Sequence, residues 1–380
     1  MHPTLQSIRT TLQSTFPERK SVIDGALCAI LAGEHVLLLG PPGTAKSALV
    51  RALAQSLGGT YFEHLLTRFS TPEELFGPIS LKALERDEFL RLTRDKLPEA
   101  HFAFVDEVFK ANSAILNSLL SLMNERLFHN SGAPTQCPLV SLFGASNELP
   151  DGTELDALFD RFLLRFEVGY LLRPSNLRAV LTAPAYTPSA ALDLPTLQKL
   201  QSEVDALPVT EDTLDALLAI REQCKAEGLV ASDRRWKKSL KLAKAAAYLA
   251  GATETTPEDF TLLVDSLWRE PKERPKVARL VGALADPIGS KATEVLDAAR
   301  ETAAKVAGLT GTDRKDFLAQ ATQALQTLRA QQEKLKELSH SAGSRASHVI
   351  QDATTEVNQL HAELARAVSQ GLGLGLRLAK

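Results

Sequence analysis

Cysteine is scarce in this chain of 380 residues: Cys28, Cys137 and Cys224 are all it has, and they lie far apart. That spacing excludes a paired-cysteine zinc site and a C-x-x-C redox motif, and no disulfide framework is expected, which suits a reducing compartment. A charge excess is missing as well. The 43 basic residues are balanced by 46 acidic ones, for a net charge of −3, which removes the basic surplus of a dedicated nucleic-acid binder. No apolar run approaches the length of a membrane span. The opening stretch MHPTLQSIRTTLQS has no signal-peptide core, so a cytoplasmic protein is expected.

What remains is an ordinary globular composition, 44% hydrophobic and 23% charged, long enough for two or three domains. Along the first half, apolar runs alternate with helical periodicity. HVLLLG reads as a buried strand ending in glycine, and KSALVRALAQSLG as a helix ending at Gly58. Further strands are expected at 61–66, in HFAFVDE (101–107), in PLVSLFGASNE (138–148) and in RFLLRFEV (161–168), with SAILNSLLSLMNE as an apolar helix. Strands alternating with helices imply a parallel sheet covered on both faces.

Between the first strand and its helix lies GPPGTAKS: Gly40, Pro41, Pro42, Gly43, Thr44, Ala45, Lys46 and Ser47. It has the form of a phosphate loop, but the glycine that normally precedes the lysine is replaced by Ala45. Such a loop points backbone N–H groups and a helix N-terminus at phosphates. Lys46 would reach the β- and γ-phosphates of ATP, and the Ser47 hydroxyl would hold Mg²⁺. Gly40 and Gly43 permit the turn, and Ala45 is tolerable beside the helix start if its φ is negative, where its methyl is harmless. Asp106, at the end of an apolar strand, is expected to share the Mg²⁺. Beside it Glu107 would polarise the attacking water, and Asn147, ending another strand, would orient it. In ALFDRFLLR, Arg161 is a candidate to stabilise phosphoryl charge across a subunit interface, with Arg165 the weaker candidate. In VASDRRWKK, Arg234 and Arg235 open a helix capped by Ser232 or Asp233, and either could reach the γ-phosphate from the helical region.

This constellation resembles the AAA+ ATPases, and within them the MoxR family. GPPGTAKS is similar to that family's Walker A motif, FVDE to its Walker B, ASNE to its sensor 1 strand, and LFDRFLLR to its arginine-finger segment. TRFSTPEELFGPIS (67–80), LPEAHFAFVDEVFKANSAILNSLLSLMNER (97–126) and SDRRWKKSLKL (232–242) resemble the RavA branch more closely. The resemblance covers most of residues 15–270. It implies a homo-hexamer with ATP at subunit interfaces, and Arg161 supplied by a neighbour. It also implies a helical lid whose sensor 2 matches Arg234, with Arg235 as alternative. Beyond the ring it implies a partner bearing a von Willebrand factor A domain, and remodelling or maturation of client protein complexes whose identity is open. Residues between Ile79 and Leu97 are expected to form an insertion hairpin facing the central pore.

The fold expected is therefore an α/β P-loop AAA+ core with a parallel sheet flanked by helices over 1–170. A small all-helical lid should follow over 171–272, then a C-terminal helical hairpin or three-helix bundle over 273–380. The proline-rich LWREPKERPK from Leu267 marks the last boundary. Leu318, Ala321, Leu325, Leu328 and Leu335, then Ile350, Ala353, Val357, Leu360, Leu364 and Ala367, give two amphipathic helices joined at SHSAGSR, with 291–307 as a third. SHSAGSR leaves no room for the β-rich insert found among RavA-like proteins. The closing GLGLGLRLAK should fray. Two other functions share the same ATP site: a nucleic-acid motor, disfavoured by the balanced charge, and a nucleotide-gated scaffold, disfavoured by the intact Asp106–Glu107 pair.

Overall fold

The computed structural model describes residues 2–183, 186–188, 190–308, 314–342 and 344–369. The glycine-rich tail expected to fray lies outside them, as does Gly343 of the SHSAGSR turn. The chain divides into two compact units, Met1–Leu171 with Ser175–Val277, and Leu172–Pro174 with Ala278–Lys380.

The first unit is built on a five-stranded parallel sheet of order β2-β3-β6-β1-β7, from β1 (His35–Leu39), β2 (Tyr61–Leu65), β3 (Phe102–Asp106), β6 (Ser141–Ser146) and β7 (Phe162–Glu167). All five are the strands read from the sequence. Val36 sits opposite Phe143 on one side and Leu164 on the other. β1 and β6 are buried along their whole length, as expected where helices cover both faces of a parallel sheet. The helices of the sheet layer are α1 (Pro3–Thr15), α2 (Lys20–Ala32), α3 (Lys46–Leu57), the short α4 (Pro72–Phe76) and α5 (Leu81–Leu84), α6 (Ser113–Glu125) and α7 (Thr153–Arg161). α2 buries Val22, Ile23, Ala26, Leu27 and Ile30 and stops at Gly33 in the left-handed region, φ 67°, a glycine C-cap. α6 starts on the Asn112 side chain, which accepts the Ile115 N–H at 3.1 Å.

Two features were not read from the sequence. A hairpin, β4 (Leu127–Asn130) with β5 (Ala133–Gln136), follows α6 and pairs antiparallel. Its apolar alternation is too short to stand out from the neighbouring helix. The α1 helix was also missed. The insertion between Ile79 and Leu97 does fold back on itself: Ile79 bridges Arg91, and Ser80 N–H donates to Leu90 O at 2.8 Å. Leu81, Phe89 and Leu92 stand more than half exposed on it.

After β7 come α8 (Pro174–Thr182), α9 (Leu194–Ala206), α10 (Glu211–Ala226) and α11 (Asp233–Leu249), then α12 (Arg274–Ala285). Ser232 caps α11, accepting the Arg235 N–H at 3.3 Å. α9 and α11 pack on α2, and Lys238 of α11 reaches Glu34, the residue before β1, at 2.5 Å. α11 is therefore held at the edge where the strands begin.

The second unit is a three-helix bundle of α13 (Pro287–Ala307), α14 (Arg314–Ser339) and α15 (Ser344–Ser369). Ala292, Ala299, Ala321, Leu328, Leu335, Ile350, Val357 and Leu364 form its core. Gln332 on α14 donates to Asn358 on α15 at 2.7 Å, and Arg300 on α13 pairs with Glu356 on α15 at 2.9 Å. The segment at 291–307 is thus a full member of the bundle.

Candidate nucleotide site

Three neighbouring strands deliver the motif residues to one edge of the sheet. The phosphate loop follows β1, Asp106 ends β3, and Asn147 follows β6, which lies between them. Gly40 N–H donates to Ser146 O at 3.0 Å, pinning the start of the loop to β6. A Cβ on Gly40 would lie 2.2 Å from Val168 O, so only glycine fits there. Gly43 has φ 79°. The Thr44 hydroxyl donates to Pro41 O at 3.0 Å, and the Lys46 ammonium donates to Gly40 O and Pro41 O, each at 2.8 Å.

Ala45 does not meet the negative-φ condition. It lies in the left-handed region, φ 65° and ψ 26°, as the residue before α3. The missing glycine is therefore missed conformationally: an alanine there is about 1–2 kcal/mol less favourable than a right-handed one. The loop holds the shape regardless, because α3 beyond it and Gly40 before it are both fixed. The substitution is a tolerated strain, not an adaptation of the turn.

The Asp106 carboxylate accepts the Glu107 N–H at 3.0 Å. Glu107 itself has φ 53° and starts a 3-10 turn over Val108–Lys110, which brings the Lys110 ammonium to 3.3 Å from its Oε2. Positive φ at a non-glycine residue gathers where function constrains the chain. Burial holds the Lys46 ammonium below its ordinary range, while Asp106 and Glu107 oppose that shift. The lysine and both carboxylates therefore share one site. Asn147 is exposed. Its turn is pinned by Ser146, whose hydroxyl donates to Glu148 O at 2.7 Å and accepts the Glu148 N–H at 3.1 Å.

Beside the loop opens a cavity of about 730 Å³, lined by Gly43 and Ala45 on one side and by Phe16, Arg19, Tyr170 and Tyr186 on the other. Arg19 is nearly buried and donates to Gly169 O. These residues carry no motif, so the sequence offered no signal for them. A metal fits here only with help from a ligand. Among the described residues no three His, Cys, Asp or Glu side chains cluster as a metal cage. One hydroxyl, Ser47, and one carboxylate, Asp106, are the donor set that Mg²⁺ uses when phosphates and water complete its octahedron.

The arginines are elsewhere. β7 runs parallel to β1 with Phe162 opposite His35 and Glu167 opposite Leu39. Arg161 thus stands at the edge where the strands begin, about 16 Å of strand away from the phosphate loop. Arg234 joins it there, paired with Asp160. Arg235 is 3% exposed and donates to Asp160 O, Phe162 O, Leu163 O and Ser266 O at 2.8–3.0 Å. These bonds anchor α11 to the sheet, at the edge opposite the phosphate loop. Arg234 likewise does not approach its own chain's Lys46, because α11 sits at the wrong edge. Arg165 is buried over the Phe159 ring, 3.9 Å from its centroid, and is structural. All three cysteines are buried, and none is in a disulfide.

Comparison with known proteins agrees with this geometry. Residues 3–207 match the family described as the MoxR domain of MoxR–vWA–β-propeller ternary systems, and residues 212–281 match an AAA lid domain. An uncharacterised protein of Methanocaldococcus jannaschii is 46% identical over 276 residues, 72% of this chain and 74% of its own length. Protein MoxR of Paracoccus denitrificans is 26% identical over 68% of this chain and 87% of its own. The chaperone MoxR1 of Mycobacterium tuberculosis is 29% identical over 48% of this chain and 50% of its own. A candidate ATPase of Cytophaga hutchinsonii has the same fold, with TM-score 0.60 at 17% identity over 74% of this chain and 93% of its own. With its phosphate loop, paired carboxylates and lid in the order that family requires, the chain belongs to the MoxR family of AAA+ ATPases.

Proposed function

We propose that the chain hydrolyses ATP with Mg²⁺ in a ring of identical subunits, a hexamer, and uses the cycle to remodel or mature protein complexes. The observation that carries this reading is the convergence of Lys46, Asp106, Glu107 and Asn147 at three adjacent strand ends. The cavity beside the loop would take the nucleoside, with Phe16, Tyr170 and Tyr186 offering apolar faces. Phosphate oxygens are stronger acceptors than the Gly40 and Pro41 carbonyls and would draw the Lys46 ammonium onto the β- and γ-phosphates. Ser47 and Asp106 would hold Mg²⁺, which neutralises charge as it develops on the transferring phosphoryl group. Glu107 takes the proton of the attacking water, and Asn147 holds that water in line.

One chain then lacks the cation that should meet the γ-phosphate from outside. Arg161 and Arg234 supply it from a second copy, since they stand at the opposite edge of their own sheet. Such a head-to-tail contact is heterologous, and a rotation that closes it makes a ring. The matched family's MoxR–vWA–β-propeller systems support a partner with a von Willebrand factor A domain. The exposed apolar insertion around Leu81 and Phe89 is the surface we assign to clients, at the pore. A cytoplasmic location fits three cysteines that form no disulfide.

The test is turnover and nucleotide affinity in Glu107→Gln. Hydrolysis should fall by about 10²–10⁴-fold while the Kd for ATP, read by a fluorescent analogue, stays near that of the parent. Unchanged turnover would remove Glu107 from its role.

A further inference from the structure

We propose that Asp160 is a positioning residue for the reaction: it sets Arg234 beside Arg161 as a single anion-binding pair. The proposal rests on the reading that these arginines serve the nucleotide of a second copy.

Asp160 and Arg161 are the last two residues of α7, and Arg234 lies in the first turn of α11. Two guanidinium groups meet there, and they repel. Burial first, and Arg234 next, hold Arg161 below the usual arginine range. Asp160 supplies the counter-charge. Its carboxylate accepts from Arg234 Nη2, from Arg235 Nη2 at 3.2 Å and, at 3.4 Å, from the Ser232 hydroxyl. Arg161 is compensated only in part, the nearby Asp160 charge being the least of the three influences on it. Its Nη1 donates to Ala157 O at 3.1 Å, and its buried Nε has no hydrogen-bond partner. The cluster is therefore left with surplus positive charge that an arriving phosphate would complete. Charge-assisted bonds of this kind are directional, so the carboxylate fixes where Arg234 points as well as what it costs to keep it there.

A plain structural tie between α7 and α11 would look similar, but Arg235 already ties α11 to the end of α7 through Asp160 O, to β7 through Phe162 O and Leu163 O, and to Ser266 O. Removing the Asp160 charge should therefore leave α11 seated on those carbonyls and release Arg234, although Arg235 loses its carboxylate partner as well.

The test uses the full chain. In Asp160→Asn, kcat for ATP should fall about tenfold, the scale of a hydrogen bond to a charged group, with KM unchanged; the thermal midpoint should drop as well, because Arg235 loses its carboxylate, so the kcat loss is read well below that midpoint. The variant is then mixed with Glu107→Gln subunits. The Asp160→Asn subunit keeps an intact phosphate loop, and the Glu107→Gln neighbour keeps intact arginines. Turnover should recover to about a quarter of the wild-type rate, the share of head-to-tail contacts that pair the two intact halves. Arg161→Ala mixed with Glu107→Gln is the control. No recovery in the control overturns the second-copy reading itself. Recovery in the control without recovery for Asp160→Asn, or a wild-type kcat in Asp160→Asn, overturns the role of Asp160. If the Asn variant fails to fold, Asp160→Glu keeps the charge but displaces it by one methylene, and a wild-type kcat there equally defeats the proposal.

Discussion

The two edges of the central sheet are built by different means. Where the strands end, the main chain makes the site: Gly40, Gly43, Ala45 and Glu107 all have positive φ. Where the strands begin, side chains make the structure. Arg126 donates to Gly33 O at 2.6 Å, Arg235 fills four carbonyls, Lys238 pairs with Glu34, and His35 accepts the Leu142 N–H at 2.9 Å. Backbone sites need particular residues in a short run, so they leave a motif. Side-chain networks draw on residues far apart in the sequence, here 31 to 204 positions apart, and leave none. The adjacent arginines Arg234 and Arg235 show how far the second edge escapes a motif: alike in type and both paired with Asp160, one is buried on backbone carbonyls and the other stays partly exposed.

That contrast can be broken most directly at the arginine pair. Arg235→Ala strips a buried charge from its carboxylate and carbonyls, and should cost about 3–5 kcal/mol of folding stability, seen as a lower urea midpoint. Arg234→Ala should leave that midpoint in place and instead cut turnover by about a hundredfold or more. Equal stabilities for the two variants would erase the distinction. A smaller effect is expected at the other edge. Ala45→Gly relieves the left-handed strain of about 1–2 kcal/mol but loosens the unfolded chain by about 0.4–1 kcal/mol. A net gain of about 0.5–1 kcal/mol in a denaturation experiment should remain, and a loss of stability would mean that the turn prefers alanine.

The strand-beginning edge adds a pH dependence. His35 is wholly buried in β1. Its Nδ1 accepts from Leu142 and its Nε2 faces Met123 O, so it is neutral, and burial, then Arg126, holds it well below its ordinary value of 6.5. Below about pH 6.5 the unfolded chain gains a proton that the folded one refuses. The stability from keeping His35 neutral is thus full above that pH and declines at up to about 1.4 kcal/mol per unit as the pH falls. Urea midpoints taken from pH 8 to pH 5 should show a shallower decline in His35→Gln. Parallel declines would assign the pH dependence to other groups.

Much of the molecule was legible before the coordinates. The five strands follow from apolar runs bounded by Gly and polar residues, because a sheet covered on both faces demands them. The bundle helices follow from Leu328, Leu335, Val357 and Leu364 at three–four spacing. The β4–β5 hairpin escaped because strands of four residues carry too little periodicity. The lining of the large cavity escaped because Phe16, Tyr170 and Tyr186 are single aromatics in loops.

By itself the sequence determined the phosphate loop, the two carboxylates and the asparagine, because each is placed by the strand immediately before it, and strand order along the chain needs no long-range information. Only the tertiary structure decided that Ala45 is strained, that Arg235 is an anchor, and that Arg161 and Arg234 turn away from their own nucleotide site. Those facts depend on which end of β7 lies beside which end of β1 and on where α11 packs, and both are settled by burial and hydrogen bonding between segments distant in the chain.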